Sequence, residues 1–506
     1  MAAQRETFTR RSSFIFAAVG SAIGLGNIWR FPYVAYDSGG GAFIIPYLVA
    51  LSTAGIPLLF MYYALGHRFR ASPPLTFRRI SGRGEMIGWW QVGISIVIAV
   101  YYAAVIAWAL RYAGFSVTKA WGDDPADFFG GAFLQQDATA GVSFDYVPGV
   151  LIPLAVIWCG VLVVLGLGVQ KGIARANMIF IPLLVVVFLI IVVRSLFLDG
   201  AARGLDALFS PDWGALSSGS VWVAAYGQIF FSLSIGFGIM ITYSSYLKRR
   251  TNLTASGLVV GLSNSAFEIL AGIGVFAALG FMATTAGQPV SEVVDSGVGL
   301  AFIAFPAIIS EMPGGAWFGV LFFGSIVVAG FTSLISIVEV VVSSLRDKTA
   351  MSRNRAVWSI GGVLAIISLA LFSTTTSLNL LDVTDAFINN FGIVGAALLA
   401  VLVLGWGVRK LPELRDHLNG VSSFTVNRTW RVFVSVVTPI LLGYMFIKEV
   451  VDRITEGYGD MPAWFVNTFG WGVGIGIIVL AWLVSLIPWK RDVDDEFEPV
   501  KVGENV

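Results

Sequence analysis

Asn27 and Arg30 stand inside a long apolar run, within GSAIGLGNIWRFP (residues 20–32). Charge in hydrocarbon is costly, so an arginine there faces a protein interior or a watery path and marks a functional position by default. Glu268 and Glu339 interrupt two later apolar runs, and Thr332 and Ser333 are adjacent in AGFTS (residues 329–333). Such oxygen-bearing and charged groups could handle an ion or a polar solute inside a membrane. Covalent chemistry is poorly supplied. The one cysteine, Cys159, lies in an apolar run, and the two histidines, His67 and His417, are far apart in sequence. They form no visible nucleophile–base constellation, and no zinc or copper site can be assembled from them. An enzyme is the least favoured reading. Taken alone, the Thr332 and Ser333 hydroxyls would simply bond their own helix backbone. Glu339 alone would be a water-facing residue on the cytoplasmic half.

The elements that must position these residues are long and apolar. Charged residues make up 12% of the 506, against ~25% in soluble domains, and the mean hydropathy is +0.81. A soluble enzyme, a nucleic-acid binder and a disordered scaffold are excluded. A β-barrel is excluded too, because its apolar segments would be short and alternating. The net charge of +1 suggests no nucleic-acid partner. A membrane helix needs ~20 apolar residues. Twelve candidates follow: 12–37, 42–66, 86–115, 148–168, 174–196, 218–247, 253–283, 315–345, 356–376, 380–408, 431–449 and 464–488. The eleventh is expected to be the shortest, with Arg431 and Lys448 at its ends.

Twelve spans put the basic clusters on one side: Arg10 and Arg11, Arg68 to Arg83, Lys171 with Arg175, Lys248 to Arg250, Arg346 to Arg355, Arg409 to Arg415, and Lys490 with Arg491. The loop at 119–147 falls on the other side and is acidic. The positive-inside rule then predicts a multi-pass protein of the cell membrane with both termini in the cytoplasm. No cleavable signal peptide is expected. Residues 289–313 read as two short helices folded over the extracellular face, and the tail from Asp492 to Val506 as an acidic, unstructured end.

Two spans are interrupted by glycines and small residues, the first and the sixth, the latter within QIFFSLSIGFGIMITYSSYL (residues 228–247). Close helix packing is one reason for such residues. Interrupted helices at matching positions of two repeats also mark a transporter's binding site. Here the chain resembles a family, the neurotransmitter:sodium symporters, including the bacterial leucine transporter. The resemblance rests on GLGNIWRFP, GGGAFIIPY (residues 39–47), QIFFSLSIGFG (residues 228–238) and AGFTS. It runs from Arg5 to about Asp385 and more loosely to the end. It implies an all-α fold of twelve transmembrane helices, with a five-plus-five inverted repeat and broken helices 1 and 6. Residues 1–11 would be a cytoplasmic segment, 12–196 the first repeat, 197–217 an extracellular loop, and 218–408 the second repeat. Residues 409–488 would hold a cytoplasmic loop and helices 11 and 12, and 489–506 the cytoplasmic tail.

The resemblance further implies sodium-driven uptake by alternating access. A first sodium site would use the Ala22 carbonyl, Asn27, Ser232 and Asn264, completed by the substrate carboxylate. A second would use carbonyls of Gly20, Ile23 and Ala329 with the hydroxyls of Thr332 and Ser333. The substrate carboxylate would meet the Leu25 and Gly26 amides and Tyr102. The ammonium would meet carbonyls of Ala22, Phe231 and Ser232 and the Ser234 hydroxyl. Ile98, Phe231, Phe237, Ser333 and Ile337 would hold the side chain. Carriers of biogenic amines have an aspartate where this chain has Gly24, so a neutral, apolar amino acid is expected. The alternatives are an osmolyte or modified amino acid as substrate, or a sodium-gated channel or receptor on the same fold. The oligomeric state is left open.

Arg30 and Asp385 match the extracellular gate, with Phe237 closing beneath them. Arg5 and Asp347 match the intracellular gate, supported by Ser245 and Tyr246, and Phe8 in place of a tryptophan suggests a looser inner seal. Glu268 stands where chloride-dependent members have a serine. Its carboxylate, near Tyr47 and Gln228, would replace chloride and release a proton in exchange, so no chloride requirement is expected. The second span has Tyr62 where relatives carry a glutamate. Glu339 is then expected to accept from the backbone unwound in the sixth span.

Overall fold

A chain that crosses hydrocarbon must satisfy its backbone within each crossing, and uninterrupted apolar runs do so as helices. The computed structural model describes residues 6–295, 297–459, 461–490 and 493. Ten continuous helices are long and apolar enough to cross a membrane. An eleventh span is a bent pair, α1 (Arg11–Ala22) and α2 (Gly26–Asp37), which meet at 53°. The continuous spans are α3 (Gly41–Phe69), α4 (Gly82–Thr118), α5 (Pro148–Gly166), α6 (Val169–Leu196), α9 (Leu253–Ala286), α10 (Gly315–Thr349), α11 (Arg353–Phe372), α12 (Ser377–Gly407), α13 (Arg428–Thr455) and α14 (Ala463–Leu486). The sixth position is held by two shorter helices, α7 (Gly219–Ser232) and α8 (Ile239–Ser244). Among the described residues there is no strand beyond two isolated bridges. The chain is thus an all-α polytopic membrane protein.

The two breaks have different local causes. After Ala22 the backbone extends at Ile23, and the Asn27 Oδ1 accepts from the Gly24 N–H at 2.8 Å, stapling the open turn. Between α7 and α8 the backbone turns left-handed at Ser234, Gly236 and Gly238, with φ of 53°, 95° and 83°. Glycine tolerates this region without strain, and Ser234 does not. Its hydroxyl donates to the Ser21 carbonyl at 2.8 Å, which ties the second break to the first.

α4 and α10 pack along one another at the centre, α1 and α8 lie against α10, and α7 packs against α3. α13 and α14 are mostly exposed and form part of the lipid-facing periphery. α13 corrects one expectation. It is not the shortest span, because Lys448–Asp452 and Glu449–Arg453 pairs at i,i+4 spacing carry the helix on past Lys448. Residues Val290–Val293 and Gly297–Glu311 form the two short helical pieces expected over one face.

Candidate functional site

The two breaks face each other across a cavity of about 840 Å³. Ala22, Leu25, Gly26, Ile98, Tyr102, Phe231, Ser232, Ser234, Phe237, Ser333 and Ile337 all line it. The cavity runs from the breaks to the face opposite the N-terminus, reaching Gln136, Val298 and Asp382. Its base is polar backbone and hydroxyl, and its walls are aliphatic and aromatic. The Tyr102 hydroxyl lies 3.4 Å from the Leu25 amide nitrogen, which donates to it. A Cβ on Gly24 would come within 3.1 Å of that hydroxyl and 3.2 Å of the Ser333 Oγ, so an acidic side chain there would have to displace both. A Cβ on Gly26 would enter the Phe231 ring at 2.3 Å.

Two oxygen clusters flank the base. In one, Asn27 Nδ2 donates to Asn264 Oδ1 at 2.9 Å, and Asn264 Nδ2 donates to Ser232 Oγ at 3.0 Å. All three side chains are buried. In the other, the Ser333 hydroxyl reaches across from α10 to the Gly20 and Ile23 carbonyls at 3.2 and 3.3 Å. Thr332 beside it returns its hydroxyl to the Ala329 carbonyl at 3.0 Å. So the two neighbours differ: Thr332 bonds its own helix, and Ser333 joins α10 to the first break. A Cβ on Gly20 would lie 2.1 Å from Asn177 Oδ1 on α6, so that side chain would have to move to admit one.

Glu268 is fully buried on α9, one turn from Asn264. Its carboxylate accepts from Gln228 Nε2 at 2.6 Å and from the Tyr47 hydroxyl in a short hydrogen bond. A carboxylate therefore sits beside the Asn27–Asn264–Ser232 cluster.

On the open side, Arg30 and Asp385 form no ion pair with each other among the described residues. Arg30 lies over the Phe231 ring at 4.7 Å. Asp385 accepts from Tyr101 Oη at 2.6 Å and Asn389 Nδ2 at 2.9 Å. The ring against Arg30 here is Phe231, and the Phe237 carbonyl accepts from Ser95 at 2.8 Å.

The N-terminal face is sealed. Arg5 lies outside the described residues. Asp347 is buried and accepts from the Ser72 N–H at 2.8 Å. Phe8 is 1% exposed, meets the rings of Phe14, Tyr243 and Tyr246 edge-on, and donates its N–H to the Tyr246 carbonyl at 2.9 Å. The smaller ring does not loosen the seal, because three other aromatics close around it. Ser245 donates to the Thr242 carbonyl at 2.5 Å. Glu6 accepts from the Val169 N–H and Arg346, and Arg353 lies 3.5 Å away. Burial would push the Glu6 carboxyl up, but Arg353, Val169 and Arg346 together bring it below the usual carboxylate range.

Glu339 does not serve the unwound backbone. It is fully buried and takes two donors from Arg353, at 3.0 and 2.6 Å, and one from the Tyr246 hydroxyl at 2.6 Å. Breaking such a pair strands a charge in a low-dielectric interior, at ~3–5 kcal/mol. Arg353→Ala should lower stability by that amount, and an Arg353→Leu, Glu339→Leu double variant should recover most of it. Thermal unfolding in detergent would read both, and equal losses in single and double variants would contradict the pairing.

Several lining residues were missed from sequence. Asn389 and Asn390 face the cavity from α12, and a polar pair inside an apolar run was the available signal. Ile303 and Ile393 carried none. The two histidines, distant in sequence, meet at 2.9 Å, and His67 Nε2 donates to the Lys248 carbonyl at 2.9 Å. His67 Nδ1 therefore accepts from His417. Burial, with His67 and Arg68 adding to it, pushes His417 down to about 3. Among the described residues no group of three or more histidine, cysteine, aspartate or glutamate side chains is placed to hold a metal ion.

Two broken helices around a polar-floored, apolar-walled cavity, open to one face and sealed on the other, define a solute carrier of the membrane. Residues 5–125 and 122–492 match the sodium:neurotransmitter symporter family, and the chain belongs to it. It is 38% identical over 492 residues to an uncharacterized sodium-dependent transporter of Methanocaldococcus jannaschii, covering 96% of this chain and 98% of that one. It is 29% identical over 553 residues to the human sodium- and chloride-dependent neutral and basic amino acid transporter B(0+), covering 96% of this chain and 85% of the relative. Among solved structures, MhsT in complex with L-phenylalanine matches with a TM-score of 0.72 and 30% identity, over 88% of this chain and 99% of MhsT. The chain is therefore a sodium-dependent symporter and not an enzyme.

Proposed function

We propose that this symporter imports a neutral amino acid with an apolar side chain, coupled to two sodium ions. The observation that carries this reading is the division of one cavity. Unwound backbone, Tyr102 and Ser333 form a polar end suited to a zwitterion's head, and Ile98, Phe231, Phe237 and Ile337 form walls suited to an apolar side chain. That MhsT was solved with L-phenylalanine supports it. Ala22, Asn27, Ser232 and Asn264 would ligate one sodium ion, and Gly20, Ile23, Ala329, Thr332 and Ser333 the other. Glu268 would stand in for chloride and return a proton. Residues 12–196 and 218–408 would act as two inverted halves, with the sealed N-terminal face in the cytoplasm.

Binding measured across the twenty amino acids, by scintillation proximity with and without sodium, tests the reading. Apolar side chains should bind best and only with sodium. Basic or acidic amino acids as the best ligands would overturn it. Replacing Ile98 and Ile337 by alanine should shift preference toward larger side chains, by ~1–3 kcal/mol per pocket contact changed. Competition binding with a graded series of amino acids reads that shift.

In the same cycle Arg30 and Asp385, apart here, should come together over bound substrate. Reversing both charges should restore more uptake than either reversal alone. A strictly additive double variant would argue against direct pairing.

A further inference from the structure

The break between α7 and α8 leaves backbone donors without acceptors. No N–H from Gly236 to Ile241 has a hydrogen-bond acceptor among the described residues. Buried polar groups are normally paired, so a run of unpaired donors in a protein interior calls for a partner. The acids that might supply one are committed elsewhere: Glu339 to Arg353 and Tyr246, Glu268 to Tyr47 and Gln228. Tyr62 is buried with its hydroxyl unpartnered.

Gln91 on α4 is uncommitted as well. It is fully buried, and neither its oxygen nor its nitrogen has a partner. Its Oε1 lies 3.5 Å from where a Cβ on Gly238 would stand, so the carboxamide is beside the left-handed hinge residue. One turn further along the same face of α4, Ser95 already donates to the Phe237 carbonyl. α4 therefore presents two polar side chains to the break, one bonded in this state and one not. A buried amide with both ends unsatisfied is unfavourable here, and a state that satisfies it gains by comparison.

We propose that Gln91 is a positioning residue of the sixth-span hinge. Its carboxamide oxygen accepts from the free N–H groups at Gly238 once α8 turns to open the N-terminal face, and so it stabilises that second state. The proposal rests on the alternating-access reading above. The occupied state is favoured by sodium, and its removal releases the hinge.

The test uses full-length protein with Cys159→Ser and a reporter, Ser13→Cys, buried on the inner half of α1. Replacing sodium by N-methylglucamine should raise reporter alkylation about tenfold as the inner path opens. With Gln91→Leu that rise should fall to less than about twofold. Equilibrium ²²Na⁺ binding and thermal stability should stay at the parent level. Gln91→Glu, which keeps an acceptor oxygen, should retain most of the rise. A full rise in Gln91→Leu overturns the proposal. So does a parallel loss of ²²Na⁺ binding and stability, which would make Gln91 a fixed structural bond, or a Gln91→Glu variant that behaves as leucine. A parent chain that binds no ²²Na⁺ would sink the symport reading itself, and this proposal with it.

Discussion

Glu268→Ser should transport poorly in gluconate and recover when chloride is added, whereas the native chain should take up substrate equally well in both. The carboxylate is fully buried beside the Asn27–Asn264–Ser232 cluster, within reach of Tyr47 and Gln228. With a cation bound next to it, the ionised form is compensated. Without one, a bare buried carboxylate costs several kcal/mol, and binding a proton relieves that cost. Native uptake should therefore respond to the transmembrane pH gradient. Serine removes the fixed negative charge and leaves a space edged by Tyr47, Gln228 and Ser232 in which a free anion can take its place. Uptake by the serine variant should drop to less than about a tenth of native without chloride, as expected for an uncompensated buried charge. Equal native-level uptake in the two media would show that Glu268 only ties helices together.

The second large effect concerns sodium. Asn27→Ala, and Thr332→Ala with Ser333→Ala, should each sharply weaken sodium-dependent binding in a protein that still folds. Losing an ion contact as strong as a charge-assisted hydrogen bond, ~1.5–3 kcal/mol, lowers affinity roughly 10- to 150-fold. The Ser333 hydroxyl spans from α10 to two carbonyls of the first break, so its removal also frees that junction. Equilibrium binding of ²²Na⁺ and a thermal melt separate the two consequences. Unchanged sodium affinity in both variants would end the site assignment.

The spans and both breaks were legible because their signals are local. Apolar length sets the helices, and GLGN and SIGFG place residues that tolerate an open backbone where a helix would otherwise continue. Grouping the cavity residues needed more than spacing, and there the family motifs supplied the register. Pairings between distant elements were illegible. Nothing in the sequence couples Glu339 to Arg353 rather than to the sixth-span backbone, because the choice is made by how α10 and α11 meet. The same holds for His67 with His417, whose elements are brought together only by packing of Leu411–Val421 against α3. Phe231 and Phe237 both line the cavity, and only the packing shows that Phe231 lies against Arg30. α13 was misjudged for a simpler reason, since its length is extended by charged pairs that a hydropathy window reads as an end.

The open cavity makes each cycle a dehydration event. A volume of about 840 Å³ corresponds to on the order of 28 water molecules at liquid density. In the proposed cycle an amino acid would replace only a fraction of them, and closure over it would expel the remainder toward the exposed face. The work of that step depends on water activity as well as on sodium. A membrane-impermeant osmolyte, excluded from the cavity, should favour the closed form and tighten apparent substrate affinity without touching any binding group. Such a result would couple the carrier to the osmotic state of its surroundings through the size of its vestibule alone.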